Sequence, residues 1–163
     1  MPEKKEKLGL VVGRFQPLHD GHRFLIKKAI DENDAVVLCI GEARKTDPLS
    51  LGERKRRLRR YLSEKNAGKK AIKIVHIRDN RSDKKWVRDL VRKAKITNKT
   101  LNTFYSADKN LHVSYMEALI NGGIRILSVK RLTFKYKTPD GKIHKVSSAT
   151  RIRKLHDSLK IPI

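Results

Sequence analysis

With 163 residues, 38% hydrophobic and 35% charged, the chain is long enough to bury one core and too apolar to be disordered. Its longest apolar run, Ala35-Val-Val-Leu-Cys-Ile40, falls far short of the roughly 20 residues that span a bilayer, and its one cysteine, Cys39, sits inside that run as a buried, inert thiol and excludes an internal disulfide. The formal net charge of +23 attracts polyanions such as nucleotides, nucleic acid or acidic membranes without choosing among them.

The first residues, Met1-Pro-Glu-Lys-Lys-Glu-Lys7, lack the apolar stretch of a secretion signal, so a cytoplasmic protein is expected. Short apolar runs predict strands near 8–13, 35–41, 71–77, 101–106 and 124–129. Helical periodicity predicts helices near 20–32, 51–65, 83–95, 109–121 and 149–159. This alternation predicts an α/β fold with a doubly wound parallel five-stranded sheet, as one domain over 1–163. Leu132–Lys137 and Lys142–Val146 flank Thr-Pro-Asp-Gly141 and predict a β-hairpin, either an insertion near the sheet edge or a flap, before the final helix.

The segment Gly13-Arg14-Phe15-Gln16-Pro17-Leu18-His19-Asp20-Gly21-His22 joins the first strand to the first helix. Glycines there allow close backbone approach to a ligand. The helix N-terminus offers free N–H groups to an anion, and His19 and His22 add donors three residues apart. The plainer alternative for Asp20 is that of an N-cap alone. The turn therefore predicts a phosphate site, although neither Gly-x-x-x-x-Gly-Lys-Ser/Thr nor Gly-x-Gly-x-x-Gly is present. With strand order 3-2-1-4-5, the ligand crevice opens between strands one and four, where Ser106-Ala-Asp108 joins the turn. Ser148, at the start of the last helix, is placed to cap it, with Thr150 and Arg153 in reach of an outer phosphate.

The pattern Gly-Arg-Phe-Gln-Pro-x-His-x-Gly-His resembles the HxGH nucleotidyltransferase superfamily, and in its first five residues the archaeal nicotinamide-nucleotide adenylyltransferases. Most of the chain shares the likeness. Gly41-Glu-Ala-Arg-Lys45, Asp47-Pro-Leu-Ser-Leu-Gly-Glu-Arg54 and Ser148-Ala-Thr-Arg-Ile-Arg153 resemble the family's other signatures, and Trp86 stands where the family carries a tryptophan that stacks on nicotinamide. The resemblance implies a Rossmann-like domain that joins ATP and nicotinamide mononucleotide into NAD and pyrophosphate, with Mg²⁺ on the ATP phosphates, in a homo-oligomer.

It implies His19, His22, Arg14 and Arg153 as catalytic, and Gly13, Arg14, Phe15, His19, Gly21, His22, Ser148, Thr150 and Arg153 around ATP. Trp86, Lys45, Ser106 and Asp108 fall to the acceptor, and no residue is assigned to metal ligation. Ser50-Leu-Gly-Glu53 reads as a capping box. His76, His112, His144 and His156 have no metal-ligand spacing and receive no role. Asp47, Leu49 and Asp108 depart from the family's Asn, Phe and Asn, all away from the ATP clamp. Two alternatives stand beside this reading. One is an HxGH enzyme with another acceptor, such as nicotinate mononucleotide, FMN or phosphopantetheine. The other is a nucleic-acid-binding module using the basic run Arg54–Arg60.

Overall fold

In the computed structural model, which describes residues 3–108 and 110–163, five parallel strands form one sheet in the order β3-β2-β1-β4-β5. They are β1 (Glu6–Gly13), β2 (Ala35–Gly41), β3 (Ala71–Ile77), β4 (Thr100–Ser106) and β5 (Ile124–Ser128). Helices α1 (Asp20–Glu32), α2 (Leu51–Glu64), α3 (Asp83–Lys93) and α4 (Val113–Asn121) connect them. Strands β6 (Phe134–Lys137) and β7 (Ile143–Val146) precede α5 (Ala149–Ser158). The sheet is buried on both faces, which is why its central strands read as unbroken apolar runs rather than alternating ones.

The period of two sorts those runs onto two cores. Leu10, Val37 and Cys39 face the layer of α3 and α4, with Val87, Leu90 and Leu119. Val11, Leu38 and Ile40 face α1 and α2, with Leu25, Ile26 and Leu58. Burial pushes the Cys39 thiol up to about 12, the chemistry of an inert thiol. Among the described residues, no helix is long and apolar enough to cross a membrane.

One expectation is corrected. The helix expected from 109 begins at Val113, and position 109 lies outside the described residues. The Asn110 N–H donates to Asp108 Oδ1 at 3.0 Å, a local turn that competes with helix. The expected hairpin is present: among the described residues β6 and β7 pair with each other and not with the main sheet, Phe134 opposite Val146 and Tyr136 opposite His144. Its turn closes with the Thr138 N–H donating to the Lys142 carbonyl at 2.9 Å, and Gly141 takes φ +86°, a conformation that favours glycine.

The run Arg54–Arg60 is not one basic face. Arg54, Leu58 and Tyr61 are the buried stripe of α2. Arg54 is 2% exposed; its Nη1 donates to the carbonyls of Gly41 at 2.7 Å and Arg14 at 3.0 Å, and so ties α2 to the ends of β2 and β1. Arg56 and Arg57 donate to the Glu53 carboxylate and hold it down to about 2, while Arg59 and Arg60 are exposed. The capping box is half formed as a result. Ser50 Oγ accepts from the Glu53 N–H at 3.1 Å, but the Glu53 carboxylate is turned to the arginines.

Candidate active site

The β1–α1 turn is shaped by its own side chains. Phe15 takes φ +53°, a left-handed conformation that costs a non-glycine residue energy, and its ring is buried. A Cβ on Gly13 would stand 3.0 Å from the Phe15 ring, so the glycine makes room for that ring. Gln16 is fully buried and pairs twice with the backbone of Leu49: Nε2 donates to its carbonyl at 2.8 Å and Oε1 accepts from its N–H at 2.9 Å.

The helix N-cap is His19, not Asp20. Its Nδ1 accepts from the backbone N–H groups of Gly21 at 3.0 Å and His22 at 3.3 Å, and His22 Nδ1 accepts from the His19 N–H at 3.4 Å. This is a capping box made of two imidazoles in place of Ser/Thr and Glu. It assigns the tautomers: with Nδ1 accepting, Nε2 carries the proton in both rings and is the donor left for a ligand. The rings stack at 3.8 Å between centroids, and the Phe134 ring of β6 lies 5.1 Å from His19 on its other side. A Cβ on Gly21 would stand 2.8 Å from His19 Cε1, so this glycine too makes room for a ring. Burial lowers His19 to about 4; Asp20 pulls it up by less, and Arg23 and Arg131 push it down. Burial, then the neighbouring His19 and Arg23, hold His22 well below 6.5. Both imidazoles are neutral hydrogen-bond donors at pH 7.

Helix α5 returns to this turn from the far end of the chain. Arg153 Nη1 donates to the Gln16 carbonyl at 2.6 Å and Nη2 to Thr150 Oγ1 at 3.1 Å. Ser148 caps α5, its Oγ accepting from the Arg151 N–H at 3.3 Å. His19, His22, Phe15, Arg14, Gly21, Ser148, Thr150 and Arg153 thus line one cleft of about 330 Å³ over the β1–β4 crevice. Ser106 and Asp108, expected on the acceptor side, line this cleft instead, because the chain leaving β4 passes over the crevice. Sequence reasoning missed Arg44, Lys130 and Arg131 here. The last two follow the carboxyl end of β5, where such a sheet places its ligand, and that position was the available signal.

A second cleft of about 410 Å³ opens on the α3–α4 side of β1. Val12, Gly13, Arg14, Asp79, Asp83, Trp86 and Tyr115 line it, and Val12 and Arg14 belong to both clefts. Trp86 packs edge-on against Tyr115 at 5.4 Å and presents part of its ring to this space. Arg14 Nε donates to the Glu42 carbonyl at 3.2 Å, and its Nη2 stands 3.5 Å from Asp79. Lys45 is exposed and lies outside both clefts; Arg44 is the residue of that segment that reaches the first one.

The first cleft offers N–H, hydroxyl and cationic donors, with Asp108 as its carboxylate. Such donors suit phosphate oxygens. Among the described residues no group of three His, Cys, Asp or Glu could hold a metal ion. A divalent cation bound to phosphate oxygens is compatible with this donor set.

Known proteins share both the sequence and the fold. A nicotinamide-nucleotide adenylyltransferase of Thermoplasma acidophilum is 33% identical over 91 residues, covering 53% of this chain and 50% of its own. One of Picrophilus torridus is 38% identical over 81 residues, covering 47% of each. The chain spans about half the length of the curated relatives it matches. The fold matches a bifunctional NMN adenylyltransferase/ADP ribose pyrophosphatase from Francisella tularensis, with a TM-score of 0.72, 19% identity and coverage of 96% of this chain and 43% of that one. The family model described as Cytidylyltransferase-like matches residues 10–155, a span that holds the histidine turn, both clefts and Arg153, and the chain belongs to that family.

Proposed function

We propose that the chain is an adenylyltransferase that joins ATP and nicotinamide mononucleotide into NAD and pyrophosphate. The observation that carries this reading is the pair of clefts meeting at Arg14: one lined by phosphate-binding donors, the other by Trp86 and Tyr115. Two substrates held there meet at the end of β1, where an acceptor phosphate can approach the α-phosphate of ATP. The names of the relatives support adenylyl transfer to this acceptor.

The reaction needs little from the protein beyond placement and charge. A phosphate monoester has a second pKa near 6 and is already a dianion at neutral pH. One of its oxygens bonds to the α-phosphorus, the bond to the bridging oxygen of the β-phosphate breaks, and pyrophosphate leaves with that electron pair. The obstacle is repulsion between anions, met by oriented donors and cations. His22 Nε2–H stabilises charge on the α-phosphate in the transition state, and His19 Nε2–H positions it. Arg14 draws the acceptor phosphate towards the same point. Ser148, Thr150 and Arg153, with the N-terminus of α5, hold the outer phosphates. A divalent cation, Mg²⁺ in the cell, supplies further neutralisation when bound to those oxygens. Asp108 faces a ribose hydroxyl of ATP, and Trp86 stacks on the pyridine ring.

The net charge of +23 speeds capture of anionic substrates. A non-specific nucleic-acid contact through the Arg54–Arg60 run falls to Lys55, Arg59 and Arg60 and is secondary to catalysis. We place the enzyme in the cytoplasm, where ATP is the available donor, and as a homo-oligomer, a state supported by Val113 and Ile120, each over 60% exposed on α4. The test is pyrophosphate release from ATP with nicotinamide mononucleotide, FMN or phosphopantetheine in turn, with products weighed by mass spectrometry. NAD formation is expected. Turnover only with FMN or phosphopantetheine would overturn the acceptor, and none with any would overturn the reaction.

A further inference from the structure

We propose that Asp83 makes the second cleft select a pyridinium nucleotide bearing a carboxamide over its carboxylate analogue. This rests on the adenylyltransferase reading and deepens it. The acceptor has two unlike ends. Its phosphate must lie at Arg14, where the clefts meet, so its base points to the opposite wall, formed by Trp86, Tyr115 and Asp83. Burial raises Tyr115 above its ordinary range, so it stays a neutral phenol and contributes no charge of its own.

Asp83 lies three residues before Trp86 on α3, which puts both on one face of the helix. Its carboxylate is fixed rather than free. The Ser114 hydroxyl of α4 donates to Oδ2, and His112 Nδ1 stands 4.0 Å from the same oxygen. No described residue hydrogen-bonds to Oδ1, which leaves that oxygen as an acceptor for a ligand N–H. The carboxylate also attracts the positive charge of a pyridinium ring lying on Trp86.

The position matters because of what lies beneath it. The N-terminus of a helix favours an anion, and α3 starts at this wall, capped by Ser82. Without Asp83, that end would welcome the carboxylate of a nicotinate nucleotide. With Asp83 the anion is already built in, and a second carboxylate meets repulsion while a carboxamide N–H meets an acceptor. Two like charges a few ångströms apart near a protein surface correspond to a preference of about tenfold or more.

The chain has one tryptophan, so Trp86 fluorescence reports binding directly. The experiment titrates nicotinamide and nicotinate mononucleotides against wild type, Asp83→Asn and Asp83→Glu, and measures kcat/KM for each with saturating ATP. Wild type is expected to favour the carboxamide nucleotide at least about tenfold in both readouts. Asp83→Asn should bring the two within about threefold, mainly by improving the nicotinate nucleotide, because asparagine removes the charge and keeps an acceptor oxygen for Ser114. Asp83→Glu keeps the charge and should keep the preference, and thermal melts verify that each variant is folded. Equal use of the two nucleotides by wild type, or an unchanged ratio in Asp83→Asn, would overturn the proposal while leaving adenylyl transfer intact. Neither binding nor turnover with either nucleotide would overturn both.

Discussion

The two histidines of the turn do structural and chemical work with different nitrogens. Nδ1 of each closes the capping box of α1, which leaves Nε2–H of each as the donor for the proposed phosphate contact. This division predicts separable effects. His19→Asn retains a good N-cap and should melt within a degree or two of wild type, yet lose on the order of a hundredfold in kcat, the scale of one oriented donor. His19→Ala should lose the same activity and about 1 kcal/mol of stability as well. A variant pair that lost stability and activity in step would contradict the division.

The depressed histidines also set a pH dependence. His19 titrates at about 4 in the folded chain and near 6.5 when unfolded. Between those values the unfolded chain binds a proton that the folded one refuses. Stability is therefore full above pH 6.5, falls as pH drops from 6.5 towards 4, and levels off below; His22 adds in the same direction. Denaturant midpoints across that range should show a shallower slope in His19→Asn than in wild type. Activity should follow a different group. With both imidazoles neutral, the acid limb of kcat/KM is expected near pH 6, where the acceptor phosphate takes its proton.

At the scale of elements, the site depends on α5 reaching the β1–α1 turn. Arg153 makes that link through the Gln16 carbonyl and the Thr150 hydroxyl, and Gln16 passes it on to Leu49. Arg153→Lys keeps the charge but not the planar fork that spans both partners. It should raise the KM for ATP on the order of tenfold, since charge-assisted hydrogen bonds carry about 1.5–3 kcal/mol. Unchanged ATP kinetics would remove Arg153 from the clamp.

The elements themselves were legible because each strand is a short apolar run and each helix an apolar stripe, and their alternation implied a parallel α/β sheet. The two phosphate-binding segments were legible because their residue types sit beside strand ends and helix starts. Less could be read where a side chain serves the backbone. Arg54 looked like part of a basic surface, yet its spacing of four to Leu58 and three more to Tyr61 marks a buried stripe. Gln16 gave no sign that it would pair with Leu49, because a buried amide and an exposed one look alike in sequence. The late start of α4 at Val113 was hidden because the local turn at Asp108 and a helix start use the same residue types. The stacking of Phe134 on His19 depends on how the hairpin docks, and periodicity carries no information about that.

At the scale of the molecule, the proposed reaction would use the sheet to divide two substrates and bring their reactive ends together. The first cleft lies over β1 and β4, the second lies on the α3–α4 side, and Arg14 lines both. Nothing in this arrangement requires a covalent enzyme intermediate, because the acceptor brings its own nucleophile. The most direct measurement of that claim is the stereochemistry of transfer. ATP made chiral at the α-phosphorus with one sulfur would be reacted with nicotinamide mononucleotide, and the configuration of the thio-NAD product determined. A single in-line displacement predicts inversion at phosphorus, and retention, the mark of two successive displacements through an adenylylated side chain, would contradict the account.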